Sequence, residues 1–201
     1  TVMVDLETHR IIDLIPTRNT EAVRAWLATY PNIEVISRDG AQIYANASKG
    51  SHPGVVQVSD RFHIIKGLTD AITKYKRIDD VKTISQEQYE QVLKSYPMIA
   101  DIYVIIKEFY EIIYSRNNEN LEAWLVKLEN FNIPELQTYV NGIRQDIIAV
   151  KNGISMQYNN GLAEGSVNKI KVIKRIMYGR NSFELLKAKV LLHEQFCSKI
   201  N

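Results

Sequence analysis

Three groups of side chains have the residue types and spacing to do chemistry. Asp39 follows the apolar run Ile33-Glu34-Val35-Ile36 and precedes Gly40. Its carboxylate therefore falls at the C-terminal end of an expected strand, where it can face a cleft and offer the oxygen ligands that hard divalent cations prefer. The same position suits an acid that caps the following helix. Asp60 and His63 stand at a second strand-to-helix junction, Ser59-Asp60-Arg61-Phe62-His63. Asp-x-x-His places a carboxylate and an imidazole one helical turn apart, although such a pair also serves as a plain helix cap. With no cysteine nearby, zinc ligation is not indicated.

The third group carries the most information. At about 100° per residue, the helical segment from Gly161 puts Glu164, Asn168, Lys171 and Arg175 in one stripe about 60° wide, with Leu162, Ile170, Ile173 and Met177 opposite. Such a helix buries its apolar side and presents one carboxylate beside cations. That face is either a solvated charged surface or one wall of a phosphodiester cleft, in which the acid holds a metal and the cations position phosphate oxygens.

The elements that must position these groups change character along the chain. Thr1–Leu6 and Ile11–Ile15 read as a β-hairpin ended by Pro16. Asn19 or Thr20 can cap a helix with Val23, Trp26 and Leu27 on one face, closed by Pro31. A strand over 33–36, a helix over 41–48 broken by Gly50 and Pro53-Gly54, and a strand over 55–58 follow, an alternation that argues for an α/β layer architecture. After Asp60 the apolar period becomes helical: Ile64, Leu68, Ile72 and Tyr75 predict a helix over 61–77. Residues 79–155 read as a helical insertion, with helices opened at Pro97, Asn117-Asn118 and Pro134, the last carrying Leu136, Val140, Ile143 and Ile147. Two further helices are expected over 162–178 and 182–196.

Composition bounds the function. The 201 residues are 45% hydrophobic and 24% charged, with 9 Gly and 5 Pro, which fits a globular chain and excludes a disordered or collagen-like one. No window approaches a membrane span, and Thr1–Arg10 has no signal-peptide pattern. One cysteine, Cys197, forms no internal disulfide, so a cytoplasmic setting is expected. The net charge of +2 conceals an asymmetry: from residue 151 onward nine Lys/Arg face three Glu, a net +6 that is a candidate footprint for a polyanion. The opening residues read as a strand already under way, and an upstream segment is expected.

Taken in order, four blocks span nearly the whole chain: Val2-Met3-Val4-Asp5-Leu6-Glu7-Thr8; Val35-Ile36-Ser37-Arg38-Asp39-Gly40; Gln57-Val58-Ser59-Asp60-Arg61-Phe62-His63; and Asn160-Gly161-Leu162-Ala163-Glu164-Gly165 with Asn168-Lys169-Ile170-Lys171, extended by Met177-Tyr178-Gly179-Arg180. Together they resemble the insertion-sequence transposases with a DDE catalytic domain, specifically the ISL-three group. The resemblance implies an RNase H-like mixed sheet flanked by helices, with an all-α insertion before the last catalytic helix. Its parts would be the N-terminal part of the core over 1–78, the insertion over 79–155, and the C-terminal core helices over 156–201.

Carried over residue by residue, Asp39 matches the family's second catalytic acid and Glu164 its third, the two that would hold Mg²⁺ or Mn²⁺. Asp60 and His63 match the D-x-x-H pair of this branch in a supporting role. Lys171, seven positions after Glu164, matches a lysine that contacts transposon-end DNA, and Asn168, Lys169, Lys174, Arg175 and Arg180 are the accompanying candidate DNA contacts. The family's first catalytic Asp lies on a strand just before the block that opens this chain; Asp5 is the only nearby substitute, although the blocks align it with a different family position, on the second strand of the core. The implied activity is cleavage and strand transfer of transposon ends into target DNA by a homo-oligomer in a synaptic complex, with two metal ions roughly 3.5–4 Å apart. With two of three acids, the chain as given is expected to bind metal poorly and to cleave little. Two other readings stay open: a non-catalytic DNA-binding or oligomerisation module, and an RNase H-like nuclease that never transposes.

Overall fold

A computed structural model describes residues 1–76, 85, 87, 91, 94–95, 97–158, 160–178 and 182–197. The candidate Arg180, the last residue of the helix expected over 61–77, most of the first part of the expected insertion up to residue 96, and the thiol of Cys197 lie outside the described residues. The protein is α/β, largely helical with small sheets. It divides into two compact units, Thr1–Gln57 with Tyr158–Asn201, and Val58–Gln157. Among the described residues no helix is long and apolar enough to cross a membrane.

The first unit is organised around the expected hairpin. β1 (Val2–Val4) pairs antiparallel with β2 (Ile11–Leu14), in the register Val2 to Leu14, Met3 to Asp13 and Val4 to Ile11. Asp5 holds the turn: its Oδ1 accepts the N–H groups of Glu7 and Thr8, and those bonds, the one from Thr8 first, keep its carboxyl below the ordinary value. Alternation along β1 sends Val2 and Val4 to one side and Met3 to the other. Val2, Val4, Ile11 and Leu14 pack with Ile170, Ile173 and Met177 of the Gly161–Ile176 segment and with Leu186 and Val190 of Phe183–Cys197. Met3 joins Val23, Leu27, Ala47 and Ile36.

Those last four residues come from α1 (Thr20–Leu27), α2 (Gln42–Ser51) and β3 (Val35–Arg38), the strand that pairs with β4 (Val56–Ser59). Asn19 caps α1 as expected, its side chain accepting from Glu21 and Ala22 N–H. Two boundaries differ from the sequence reading. β3 begins at Val35 because Ile33 is drawn into the α1/α2 cluster ahead of it. α2 runs on through Gly50, where a Cβ would stand 3.0 Å from Arg24 Cδ; the bare glycine lets the arginine stem of α1 lie against the helix.

One buried acid locks this unit. Asp13 is 9% exposed, and its carboxylate accepts from Trp26 Nε1 at 2.8 Å, Tyr30 Oη at 3.0 Å, Leu14 N at 2.8 Å and Lys187 Nζ at 2.6 Å. Burial pushes its pKa up, but the bonds from Lys187, Trp26, Leu14 and Tyr30 hold it below the ordinary carboxylate value. Asp13→Asn is expected to cost about 2 kcal/mol in urea unfolding, a figure reduced because the Lys187 side chain is 36% exposed and rehydrates. Since the folded pKa is the depressed one, this stability is present above the unfolded value of about 3.9 and is lost as pH falls through the folded one. The variant's stability curve should be correspondingly flatter below about pH 4.

The second unit is a helical core. α3 (Arg61–Lys76) contributes Ile64, Leu68 and Ala71; α4 (Pro97–Ser115) contributes Ile102, Ile105, Phe109, Ile112 and Ile113; α5 (Leu121–Glu129), α6 (Pro134–Gln145) and α7 (Ile147–Ser155) complete it. Trp124 stacks on Phe109 at 4.4 Å and donates Nε1 to Ile105 O at 3.0 Å, so its polar edge is satisfied inside the core. Tyr139 packs on Gly67 and donates its hydroxyl to Ile64 O at 3.0 Å, tying α6 to α3. The single helix expected from Pro134 to Ile147 is two, broken at Asp146 (φ −120°, ψ 24°). The break redirects the chain so that Val150, Gly153 and Ile154 turn inward.

Candidate active site

Each candidate is positioned by a strand end or a helix start. Asp39 leaves β3 half-buried, and its Oδ1 accepts from Ala41 N at 3.0 Å, at the entry to α2. Arg38 beside it is 4% exposed; it donates Nε to Gln57 Oε1 at 2.7 Å and Nη1 to the Asp39 carbonyl at 3.1 Å. The backbone at Asp39 is thus held by its neighbour, with one carboxylate oxygen committed to the turn.

In the second unit, Asp60 is 4% exposed at the head of α3. Its Oδ1 receives Phe62 N–H at 3.4 Å and its Oδ2 lies 2.7 Å from His63 Nδ1. The helix cap and the acid–imidazole pair foreseen at this junction are therefore one arrangement. Because a carboxylate accepts, Nδ1 carries the proton, which leaves the Nε2 lone pair of this half-exposed ring for a proton or a ligand. Gly153 supports the junction: a Cβ there would stand 2.2 Å from the Ser59 carbonyl oxygen. Helix α7 meets the backbone immediately before Asp60 at a distance only glycine permits.

Glu164 is exposed in the first turn of α8 (Gly161–Ile176), where a carboxylate suits the positive end of the helix dipole. The apolar stripe is as expected, with Met177 buried and Ile170 and Ile173 packed on the hairpin; Ser166 is buried with them. The cations divide. Lys169 Nζ lies 2.5 Å from Oε1 of Glu194, an 8% exposed acid on α9 (Phe183–Cys197), so this ammonium ties the two helices together. Lys171 donates to Asn168 Oδ1 at 3.5 Å. Lys171, Lys174 and Arg175 are exposed, the last two in the final turn of α8.

Thus Asp60 is brought onto His63 and Lys171 onto Asn168, while Asp39 and Glu164 belong to the same compact unit. Reading the sequence missed the buried acids Asp13 and Glu194 and the close approach at Gly153. The available signals were an acid inside an apolar run, Ile11-Ile12-Asp13-Leu14 and Leu191-Leu192-His193-Glu194, and a lone glycine in a helical pattern.

A family model described as a transposase matches residues 1–88 and 74–190. The transposase for insertion sequence element IS1001 of Bordetella parapertussis is 21% identical, over 94% of this chain and 56% of that protein. A protein named ATP-dependent protease from Lactococcus lactis subsp. lactis is 29% identical over 104 residues, 51% of this chain and 33% of that protein. The chain therefore spans about a third to about half of the length of these relatives. No lysine in it follows a glycine, so it has no Gly-Lys-Ser/Thr phosphate loop of the kind ATP hydrolysis commonly uses. No solved structure gives a significant match.

Proposed function

Because the chain belongs to the ISL-three group of DDE transposases, we propose that it supplies Asp39 and Glu164 as two metal-holding acids for phosphoryl transfer on transposon-end DNA. The observation that carries this reading is the family match itself, whose span includes Asp39, Asp60, His63, Glu164 and Lys171. An RNase H-like arrangement is supported by the pairs β1–β2 and β3–β4, which contribute Met3 and Ile36 to one cluster with α1 and α2, while α8 and α9 cover the other face of the hairpin.

The donor set suits a hard divalent cation, since both acids offer carboxylate oxygens, one half-buried at a strand end and one exposed at a helix start. Mg²⁺ or Mn²⁺, when bound, supplies activation of the attacking hydroxyl and neutralisation of charge on the leaving oxygen. The chain's own part is to hold carboxylates toward the ion and phosphates toward cations. Lys171, Lys174 and Arg175, with Asn168, are assigned to the DNA backbone; Lys169 is assigned to Glu194. Asp60 fixes the tautomer of His63, whose Nε2 is then a base or ligand in a supporting role. Asp5 is not assigned as the first acid, because its carboxylate holds the hairpin turn.

A crystal of the intact transposase soaked in Mn²⁺ tests this directly. Anomalous density between the carboxylates of Asp39 and Glu164 is the expected result. Density confined to other side chains, with both acids well ordered, would leave a DNA-binding module without this catalytic centre.

A further inference from the structure

Helix α8 ends in an arrangement that its role in holding phosphates does not explain. Its C-cap is Met177, buried at 7% among the hairpin and α9 side chains, and the next residue, Tyr178, takes φ +48°. That is the left-handed position past a helix end which glycine ordinarily occupies, and a glycine stands one residue later, at Gly179. Tyrosine holds the position at an energetic cost, its amide donating to Arg175 O at 3.1 Å. The ring gains nothing visible from the fold: Tyr178 is 91% exposed, and no hydrogen bond or ring contact of its side chain occurs among the described residues. Around it the surface is cationic and partly apolar, with exposed Lys171, Lys174 and Arg175 at seven, four and three residues before it, and Val172 and Ile176 exposed at 51% and 63%.

We propose that Tyr178 is a stacking platform for an unpaired nucleobase of the DNA whose phosphates Lys171, Lys174 and Arg175 hold. The inference rests on the transposase reading and adds a DNA-contacting residue to it. Charge complementarity selects a nucleic acid as the occupant: a flat aromatic face beside a row of cations is the combination that binds unstacked bases without reading their sequence.

The test uses the intact protein and two probes, a short duplex of arbitrary sequence and the same duplex carrying one unpaired 2-aminopurine. Wild type is expected to bind both in a salt-dependent manner and to quench the 2-aminopurine. Tyr178→Ala should bind the unpaired-base probe about tenfold more weakly and the plain duplex as before, while Tyr178→Phe behaves as wild type. Tyr178→Gly, which relaxes the backbone, should reproduce the loss while unfolding at no lower urea concentration, so that the ring and not the turn is at issue. Unchanged affinity and quenching in Tyr178→Ala overturns the proposal, and so does a Tyr178→Phe variant as weak as Ala. It falls equally if Tyr178→Ala alters self-association of the DNA-free protein and leaves probe binding unchanged, for the face is then a protein contact. Absence of salt-dependent binding to either probe by wild type removes the transposase reading itself.

Discussion

In the intact transposase, Glu164→Gln should slow nicking of transposon-end DNA by about 1,000-fold or more and leave binding of that DNA within about threefold. Glutamine keeps the size and the helical conformation but replaces an anionic oxygen ligand with an amide, so the site loses attraction for the cation at the moment charge develops on the leaving oxygen. Several kcal/mol of transition-state stabilisation depend on such a ligand, and about 4 kcal/mol corresponds to a thousandfold in rate. The fold has little stake in this carboxylate, because Glu164 is exposed in the first turn of α8 and its described hydrogen bond there is made by its backbone, Glu164 N to Asn160 O at 3.2 Å. Rate and stability should thus separate in this variant, as measured by gel assay with Mg²⁺ beside urea unfolding. Full nicking activity in Glu164→Gln would remove this residue from the catalytic centre whatever its neighbours do.

The second large effect is on stability. Gly153→Ala should cost about 3 kcal/mol, the upper end of what overpacking usually does. The added methyl would meet the Ser59 carbonyl at 2.2 Å, and that obstacle is backbone rather than a side chain able to swing away. Either α7 retreats from the core, uncovering Val150 and Ile154, or the backbone leading into Asp60 is displaced. Gly142 supplies the contrast within the same unit: it lies in α6 with nothing within 4 Å of a built Cβ, so Gly142→Ala should stabilise by about 0.5–1 kcal/mol through lower unfolded-state entropy and better helix propensity. Urea midpoints of the two variants should move in opposite directions; a shared direction would contradict the close approach at Gly153.

Those two glycines also mark where sequence reading reaches its limit. Both interrupt helical patterns, and what distinguishes them is a carbonyl oxygen ninety-four residues away in one case and empty space in the other. Features that depend on local pattern were legible: the hairpin from its alternation, the Asn19 cap, the α3 stripe of Ile64 and Leu68, and the Asp60–His63 pair, which one helical turn is enough to bring together. Features decided by distant partners were not. Nothing local marks Asp13 as the acid that Trp26, Tyr30 and Lys187 close on, and Lys169 reads as a candidate DNA contact, whereas its ammonium is paired with Glu194. The start of β3 moved for the same reason, since Ile33 answers to the helices packed over it rather than to its own neighbours.

The first unit is assembled from two stretches of chain, Thr1–Gln57 and Tyr158–Asn201, and that discontinuity sets an order of events during synthesis. The β1–β2 hairpin leaves the ribosome well before α8 and α9: the residues of those helices that pack on Ile11 and Leu14 follow only after roughly 155 further residues. At about 5–20 residues per second the wait is on the order of 8–30 s, far longer than a hairpin or helix needs to form. The intervening helical unit, built from contiguous sequence, can condense first, so the newborn chain passes through a stage in which the middle is folded while its apolar β-strands still lack their cover.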